Sequence, residues 1–241
     1  MARLKLMFSH LSVQVLFGLW IIGWGIIIYF GAFHLLWLVP LGMASQLLNE
    51  YSLHRYIFHL PAPKSQFWFD VLYQAHYGHH DFPNNQPLFF VPIWIAVPIA
   101  LISFGVIYLV LNLFGLATPL AGASAFTFIG GVTTFLFYEW FHMSAHWTGK
   151  KNTVEKYVTK LHGQHHYRDY SRWFHVSPGG EIIDRLMGTA IDRETLKSQS
   201  RVQHLTTMGL SPDDPRLVSA RARFATKYGL QVDEVSRAAR I

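Results

Sequence analysis

The sequence predicts an all-α integral membrane protein whose four transmembrane helices form two hairpins and whose histidines bind metal on one side of the membrane. Composition is the first observation. The 241 residues are 51% hydrophobic and 14% charged, whereas about 25% of an average soluble domain is charged. The second observation is the absence of Asp, Glu, Lys and Arg from residues 6–49 and from residues 82–138. Both observations indicate that the chain resides in a membrane.

Each uncharged stretch is long enough for two crossings, because a spanning helix needs roughly 20 apolar residues. The break inside the first stretch falls near Gly31, and the break inside the second falls between Gly115 and Pro119. Glycine and proline end helices and favour tight turns, so each stretch predicts a helical hairpin that leaves and returns on the same side. We expect the four spans at about residues 11–30, 33–48, 89–111 and 119–137.

The positions of the basic residues predict the orientation. All twenty lie at the N-terminus, between the two hairpins or from Lys150 onward. Because basic residues concentrate on the cytoplasmic side of membrane proteins, we expect both termini and the middle segment to face the cytoplasm, in a bacterial inner membrane or the endoplasmic reticulum. The net charge of +6 is then explained by attraction to anionic lipid headgroups. No nucleic-acid-binding module is visible, so we expect no nucleic-acid partner.

Three helices are predicted outside the spans. Residues 67–80 and 153–166 each read as a helix that ends in a histidine cluster. From about Thr189 the chain becomes polar and charged, and Asp213-Asp214-Pro215 predicts the start of an amphipathic helix that runs to about Tyr228. Carboxylates at the cap and proline in the first turn are typical of a helix start.

Ten of the fourteen histidines fall into four short clusters that follow the second and fourth predicted spans. Neutral imidazole is the commonest protein ligand for transition metals, and histidines three or four residues apart share a helix face. The chain has no cysteine. Ten nitrogens would supply two ions with about five ligands each; six-coordinate iron would keep a position for dioxygen, and zinc would be accepted equally well. The clustered residues are His54, His59, His76, His79, His80, His142, His146, His162, His165 and His166.

The first cluster, HRYIFH, does not fit a regular α-helix. His54 and His59 are five residues apart, which places their side chains about 140° apart around the helix axis. Two explanations remain open. Either the two histidines serve different metal ions, or the helix unwinds before Pro61.

Further residues near the clusters are candidates to orient the imidazoles through hydrogen bonds: Glu50, Asp81, Glu139, Asp169 and His175. Metal-bound histidines commonly donate their second ring N–H to such acceptors. Solvated charge at a helix end is the alternative for each carboxylate. Glu139 and His142 also match one E-x-x-H element of a carboxylate-bridged di-iron bundle, but that design needs two copies and two further glutamates.

These motifs resemble the membrane fatty acid hydroxylase and sterol desaturase superfamily. The resemblance rests on E-Y-S-L-H-R-Y-I-F-H (Glu50–His59), H-Y-G-H-H (His76–His80), H-M-S-A-H (His142–His146) and L-H-G-Q-H-H-Y (Leu161–Tyr167). The first segment most resembles the fatty acid (sphingolipid) 2-hydroxylases. The run D-R-L-M-G-T at Asp184–Thr189 is similar to a segment that ends the family's catalytic domain.

The resemblance implies a four-helix membrane stalk under a cytosolic helical cap that holds a dinuclear metal site. It implies a hydroxylase catalytic domain over residues 1–189, followed by a polar helical tail over residues 190–241. All ten clustered histidines match the family's ligand positions, and no catalytic residue is expected beyond the metal centre. The implied activity is dioxygen-dependent hydroxylation of a lipid acyl chain at two iron ions. Because the chain lacks the fused b-type cytochrome domain of fungal 2-hydroxylases, we expect a separate electron-transfer protein.

Alternative functions remain at this point. A desaturase or oxidase of sterols or other isoprenoid lipids would use the same ligands. A membrane metal-binding or transport protein would need polar ligands within the spans, yet the uncharged stretches contain only His10 and His34, near their ends. A haem-binding electron carrier would use one or two histidines per haem, which fits ten clustered histidines poorly.

Overall fold

The structure is a computed structural model that describes residues 2–191, 205, 208–232 and 235. Within these residues every regular element is a helix, as the sequence predicts, and no strand occurs. The chain divides into two compact units. The first unit comprises Met1–Glu50 and Phe90–Phe141, and the second comprises Tyr51–Phe89 and His142–Ile241. The predicted tail at 192–204, 206–207, 233–234 and 236–241 lies outside the described residues.

Eleven α-helices follow one another in the described residues, interrupted by turns of other helical winding. In chain order they are α1 (Ala2–Ser9), α2 (Leu11–Tyr29), α3 (Leu38–Leu53), α4 (Gln66–Leu72), α5 (Gly78–Asp81), α6 (Ile93–Leu113), α7 (Pro119–Ala123), α8 (Val132–His146), α9 (Thr153–Tyr167), α10 (Glu181–Leu186) and α11 (Pro215–Tyr228). Turns of π-helix lie at His54–Phe58, Tyr73–Tyr77 and Ser124–Gly131. Short 3-10 turns lie at Phe33–Leu35 and Gln86–Leu88.

Three helical segments are long and apolar enough to cross a membrane: Leu11–Tyr29, Gln86–Leu113 and Pro119–His146. They coincide with the first, third and fourth predicted spans. In Gln86–Leu113 only 6% of the most apolar stretch is buried inside the protein. A helix that is apolar all round and has so little protein cover needs another apolar environment. The three segments therefore support a membrane protein.

The second predicted span, at about 33–48, does not correspond to such a helix. The chain forms a 3-10 turn at Phe33–Leu35 and then α3, which has 16 residues. Sixteen residues extend about 24 Å at 1.5 Å per residue, less than the hydrocarbon thickness of about 30 Å. The π turn that continues α3 begins with His54 and Arg55, which are not apolar. The apolar run is divided because Gly31 adopts a left-handed φ of 59° just after α2, so the next helix starts seven residues later, at Leu38.

Two glycines in the first unit allow α3 to pack directly against the π-helical segment Ser124–Gly131. A Cβ atom on Gly42 would lie 1.8 Å from the carbonyl oxygen of Phe126, and one on Gly130 would lie 2.4 Å from that of Val39. Any side chain at either position would force the two backbones apart. Small residues at such contacts are typical of helix packing in membranes.

The C-terminal helix α11 belongs to the second unit and starts and ends where the sequence predicts. The Asp214 side chain accepts a hydrogen bond from the Arg216 N–H at 2.9 Å, Pro215 occupies the first turn, and Gly229 ends the helix with a left-handed φ of 63°. The apolar face of α11 joins one buried cluster, formed by Phe69, Leu72, Tyr73, Tyr77, Leu205, Met208, Leu210, Leu217 and Ala220.

A buried ion pair attaches α11 to the segment that carries the HYGHH motif. The Arg221 side chain donates from Nε to Asp81 Oδ2 at 3.0 Å and from Nη2 to Oδ1 at 3.3 Å. The Tyr73 hydroxyl also donates to Asp81, at 3.0 Å. Both charged side chains are almost fully buried, with 1% and 3% exposed. Such a pair is costly to break because one charge would stay behind in the interior.

Replacing Arg221 by methionine should lower the free energy of unfolding by about 3–5 kcal/mol, because a buried carboxylate loses its guanidinium partner. Arg223→Met is the matched control on the same helix. The Arg223 side chain is 45% exposed in its pair with Asp70, and such surface pairs contribute about 0.2–1 kcal/mol. Denaturant unfolding of the purified protein measures both variants, and equal losses would contradict the importance of the buried pair.

Candidate metal centre

The ten clustered histidines lie together in the second unit, as two groups of five. Within each group, one ring nitrogen from every histidine lies within 4.8 Å of the others. We call them the first and second histidine groups. The first consists of His54, His59, His76, His80 and His165, and the second consists of His79, His142, His146, His162 and His166.

The Nε2 atoms in each group point towards one another. In the first group, His76 Nε2 lies 3.0 Å from that of His54, 3.1 Å from that of His59 and 2.9 Å from that of His80. In the second group, His79 Nε2 lies 2.9 Å from His142 Nε2 and 3.0 Å from His166 Nε2. Unprotonated nitrogens at such distances repel one another through their lone pairs, so this arrangement favours a cation between them.

Each HxxHH motif contributes to both groups. His76 and His80 belong to the first group, whereas His79 belongs to the second. The HxxHH motif in α9 has the opposite distribution, because His162 and His166 belong to the second group and His165 belongs to the first. The reason is that successive residues of a helix are about 100° apart. Adjacent histidines therefore point to different sides of the helix. The shared face expected from the sequence is found for the pairs four residues apart, His76 with His80 and His162 with His166, and not for the histidine three positions after the first.

A π-helical turn explains the spacing in HRYIFH. The backbone N–H of His59 donates to the carbonyl oxygen of His54 at 3.1 Å, a bond between residues five apart. This wider turn aligns residues at i and i+5, and π turns occur often at functional sites. Both histidines therefore enter the first group. Of the two explanations from the sequence, the change of helix winding before Pro61 is observed, and the assignment of His54 and His59 to different groups is wrong.

Backbone carbonyls hold the second ring nitrogen of three histidines. His54 Nδ1 donates to the Phe174 carbonyl at 2.5 Å, and His165 Nδ1 donates to the Arg172 carbonyl at 2.7 Å. In the second group, His142 Nδ1 donates to the Phe89 carbonyl at 2.6 Å. A proton held on Nδ1 leaves the lone pair on Nε2, directed into the group. Backbone carbonyls have no sequence signature, so sequence reasoning did not find these acceptors.

A sequence profile of the fatty acid hydroxylase family matches residues 39–189. The chain belongs to this family. The range includes all ten histidines of the two groups, and the prediction of the superfamily is confirmed.

Curated relatives of this family member are fatty acid 2-hydroxylases, which confirms the predicted closeness to that subfamily. Dihydroceramide fatty acyl 2-hydroxylase FAH2 of Arabidopsis thaliana is 29% identical over 155 residues, 63% of this chain and 60% of the relative. Fatty acid 2-hydroxylase of Macaca fascicularis is 30% identical over 166 residues, 67% of this chain and 42% of the relative. The chain thus spans less than two thirds of the length of these relatives.

A solved structure shares the fold of this family member. The structure titled full-length scs7p, in which only the hydroxylase domain is visible, superposes with a TM-score of 0.60 at 24% sequence identity. The match covers 72% of this chain and 65% of that chain.

The sequence proposed five residues as hydrogen-bond partners that orient the imidazoles, and the structure places them in both units. Glu50 and Glu139 lie buried in the first unit, where Glu139 Oε1 accepts the Val91 N–H at 3.0 Å. In the second unit, the Asp81 carboxylate accepts from Tyr73 and Arg221, as described above.

Asp169 and His175 both lie in the second unit, near the loop that follows α9. Asp169 Oδ1 accepts the Ser171 N–H at 3.0 Å and the Ser171 hydroxyl at 2.5 Å. His175 Nδ1 donates to the buried Asp184 carboxylate at 2.9 Å, and its ring stacks on Tyr51. Asp184 belongs to the D-R-L-M-G-T segment, and no feature of the sequence distinguishes it as a partner of His175.

Burial favours the neutral form of several histidines in both groups. It lowers the pKa of His54, His76 and His79 well below the ordinary value of 6.5, and neighbouring imidazoles lower it further. The pKa values of His80, His162 and His166 are lowered by the same causes in the same order. Each group therefore offers neutral nitrogen donors, a set that suits transition metals and not the oxygen-seeking Mg²⁺ or Ca²⁺. Each group could hold a metal ion.

The metal-free protein should lose stability as the pH falls below about 6.5. The unfolded chain then takes up protons on histidines that stay neutral when folded, so the free energy of unfolding falls by up to about 1.4 kcal/mol per pH unit for each such histidine. The thermal unfolding midpoint of chelator-treated protein, measured from about pH 7.5 to 5.5, tests this. A midpoint that does not change across this range would contradict the burial of neutral imidazoles.

Proposed function

We propose that this chain is a membrane-bound lipid hydroxylase with a di-iron centre. The single observation that carries the proposal is the pair of five-histidine groups in a chain of the fatty acid hydroxylase family. The curated relatives are named as 2-hydroxylases of fatty acids or of the fatty acyl chain of dihydroceramide. The substrate class we propose is therefore the acyl chain of a membrane lipid.

The ten histidines are the proposed ligands, five for each ion. Iron bound there would supply the redox chemistry by which dioxygen is activated, one oxygen atom entering a C–H bond and the other leaving as water. Zinc would fit the same nitrogens but would supply no redox chemistry. The electrons come, in this proposal, from a separate electron-transfer protein.

The protein's own residues prepare the donor atoms. Hydrogen bonds to the carbonyls of Phe174, Arg172 and Phe89 keep the proton of three imidazoles on Nδ1, so that Nε2 is free to bind metal. Burial removes water from these nitrogens. Neutral donors can bind a cation without first releasing a proton, which metal binding by protonated histidine would require.

The proposed membrane arrangement extends the three apolar segments to four spans in two hairpins. α3 is the proposed second span, because the π turn His54–Phe58 continues it directly and lengthens the helical run. Both termini and the metal centre would face the cytoplasm, following the distribution of the basic residues. A lipid substrate would then reach the centre from the bilayer, without crossing water.

Lipid profiling of a host with and without this chain tests the proposed reaction. We expect an acyl-containing lipid to gain one oxygen atom. His79→Ala and His165→Ala should each abolish the product, because each removes a ligand from one group. His34→Ala is the matched control, since His34 is exposed in the first unit, and it should keep full activity. An unchanged lipid profile with a full iron complement would overturn the proposal, and loss of two hydrogens would instead indicate a desaturase.

Metal analysis tests the proposed ligands without reference to activity. The purified protein should bind two ions per chain. His59→Ala should weaken binding only at the first group, and His146→Ala only at the second, because each histidine lies in one group. Losing a ligand typically costs at least as much as losing a hydrogen-bond partner of a ligand, about 10–100-fold in affinity. A protein that binds one ion, or none, would contradict the assignment.

A further inference from the structure

The Asp184 carboxylate collects four hydrogen bonds in the interior of the second unit. Oδ1 accepts the Phe174 N–H at 2.9 Å and the Thr189 hydroxyl at 2.8 Å. Oδ2 accepts the His175 N–H at 3.0 Å and His175 Nδ1–H at 2.9 Å. Burial alone would raise the pKa of this carboxyl group, but the hydrogen bonds from His175, Phe174 and Thr189 lower it below its ordinary value. Asp184 is therefore an ionised, fully occupied acceptor.

The loop that Asp184 holds provides two of the carbonyls described above. Arg172 and Phe174 offer their carbonyl oxygens to His165 and His54, and both of these histidines belong to the first group. Trp173 lies between them with a left-handed φ of 52°. Non-glycine residues adopt such a conformation only where the surroundings enforce it. The hydrogen bond from the Trp173 N–H to the Thr189 carbonyl, at 3.0 Å, is part of that enforcement.

The second group is supported from a different part of the chain. The carbonyl that accepts from His142 belongs to Phe89, which directly follows the 3-10 turn Gln86–Leu88. The four hydrogen bonds of the Asp184 carboxylate go to Phe174, His175 and Thr189, and none goes to this turn. A change at Asp184 should therefore act on one group and spare the other.

We propose that Asp184 is a positioning residue for the metal ion of the first histidine group. It holds the loop at 172–175 so that two carbonyls fix the protonation and direction of the His54 and His165 imidazoles. Asp184 belongs to neither histidine group, and none of its four hydrogen bonds goes to the imidazole of His54 or His165. The inference rests on the proposed di-iron function, since it requires an ion in each group.

Asp184→Asn tests the proposal with little change of volume. Asparagine has one acceptor oxygen where aspartate has two, so its NH₂ group must face a pair of N–H or O–H donors. Either Phe174 and Thr189 or the two donors of His175 then lose their acceptor, and the loop shifts. Residues that orient metal ligands typically contribute 10–100-fold to metal affinity, so we expect the first ion to bind about 10–100-fold more weakly and the second to bind unchanged.

Zinc titration of the chelator-treated full chain, with a competing chromophoric chelator, is the measurement. Two double variants identify the weakened site. Asp184→Asn combined with His146→Ala should weaken both ions, whereas Asp184→Asn combined with His59→Ala should still bind one ion as tightly as the wild type. Glu155→Gln is the control, since Glu155 is a buried carboxylate that caps α9 and lies outside both groups. It should keep both ions.

Thr189→Val keeps the proposal testable if Asp184→Asn does not fold. It removes the hydroxyl that donates to the Asp184 carboxylate at 2.8 Å and that also lies 3.2 Å from the Tyr51 hydroxyl. The loss of these contacts should weaken the first ion by about 2- to 10-fold while sparing the second. Equal weakening at both groups, or no weakening in a folded Asp184→Asn variant, would overturn the positioning role alone. A wild-type chain that binds fewer than two zinc ions would overturn the metal centre and the positioning role together.

Discussion

The convergence of neutral imidazole nitrogens is the constraint on which the rest of the second unit depends. Ten Nε2 atoms can face one another in two small volumes only if each ring keeps its proton on the far side. Buried carbonyl acceptors at Phe89, Arg172 and Phe174 meet that requirement for three of the rings. The segments that carry these carbonyls are in turn held by side chains such as Asp184, so the precision of the centre comes from layers of hydrogen bonds around it.

Charge distinguishes this donor set from that of carboxylate-bridged di-iron bundles. Two buried carboxylates of the second unit are occupied by groups outside the histidine groups: Asp81 pairs with Arg221, and Asp184 accepts from Phe174, His175 and Thr189. The histidine groups contain no carboxylate. Neutral ligands leave the positive charge of a bound ion uncompensated, which favours anionic oxygen ligands at any remaining position.

Sequence reasoning reached the features that local chemistry determines. The start of α11 after Asp214 and its end at Gly229 follow from capping residues, and the four histidine clusters identify the family. Features that depend on backbone winding or on contacts between distant segments were not predicted from the sequence. The π turn at His54–Phe58 cannot be read from a pattern that assumes 3.6 residues per turn. The division of each HxxHH motif between two groups, and the carbonyl acceptors, depend on how distant segments meet. The second predicted span begins inside the 3-10 turn at Phe33–Leu35, because the apolar run continues through that turn.

The exchange of one histidine between the two HxxHH motifs links the two groups through the backbone. His79 and His80 are adjacent residues that belong to different groups, and the same holds for His165 and His166. The helix backbone limits how far apart adjacent side chains can lie, so the separation of two bound ions would be set by helix geometry and would need no bridging carboxylate.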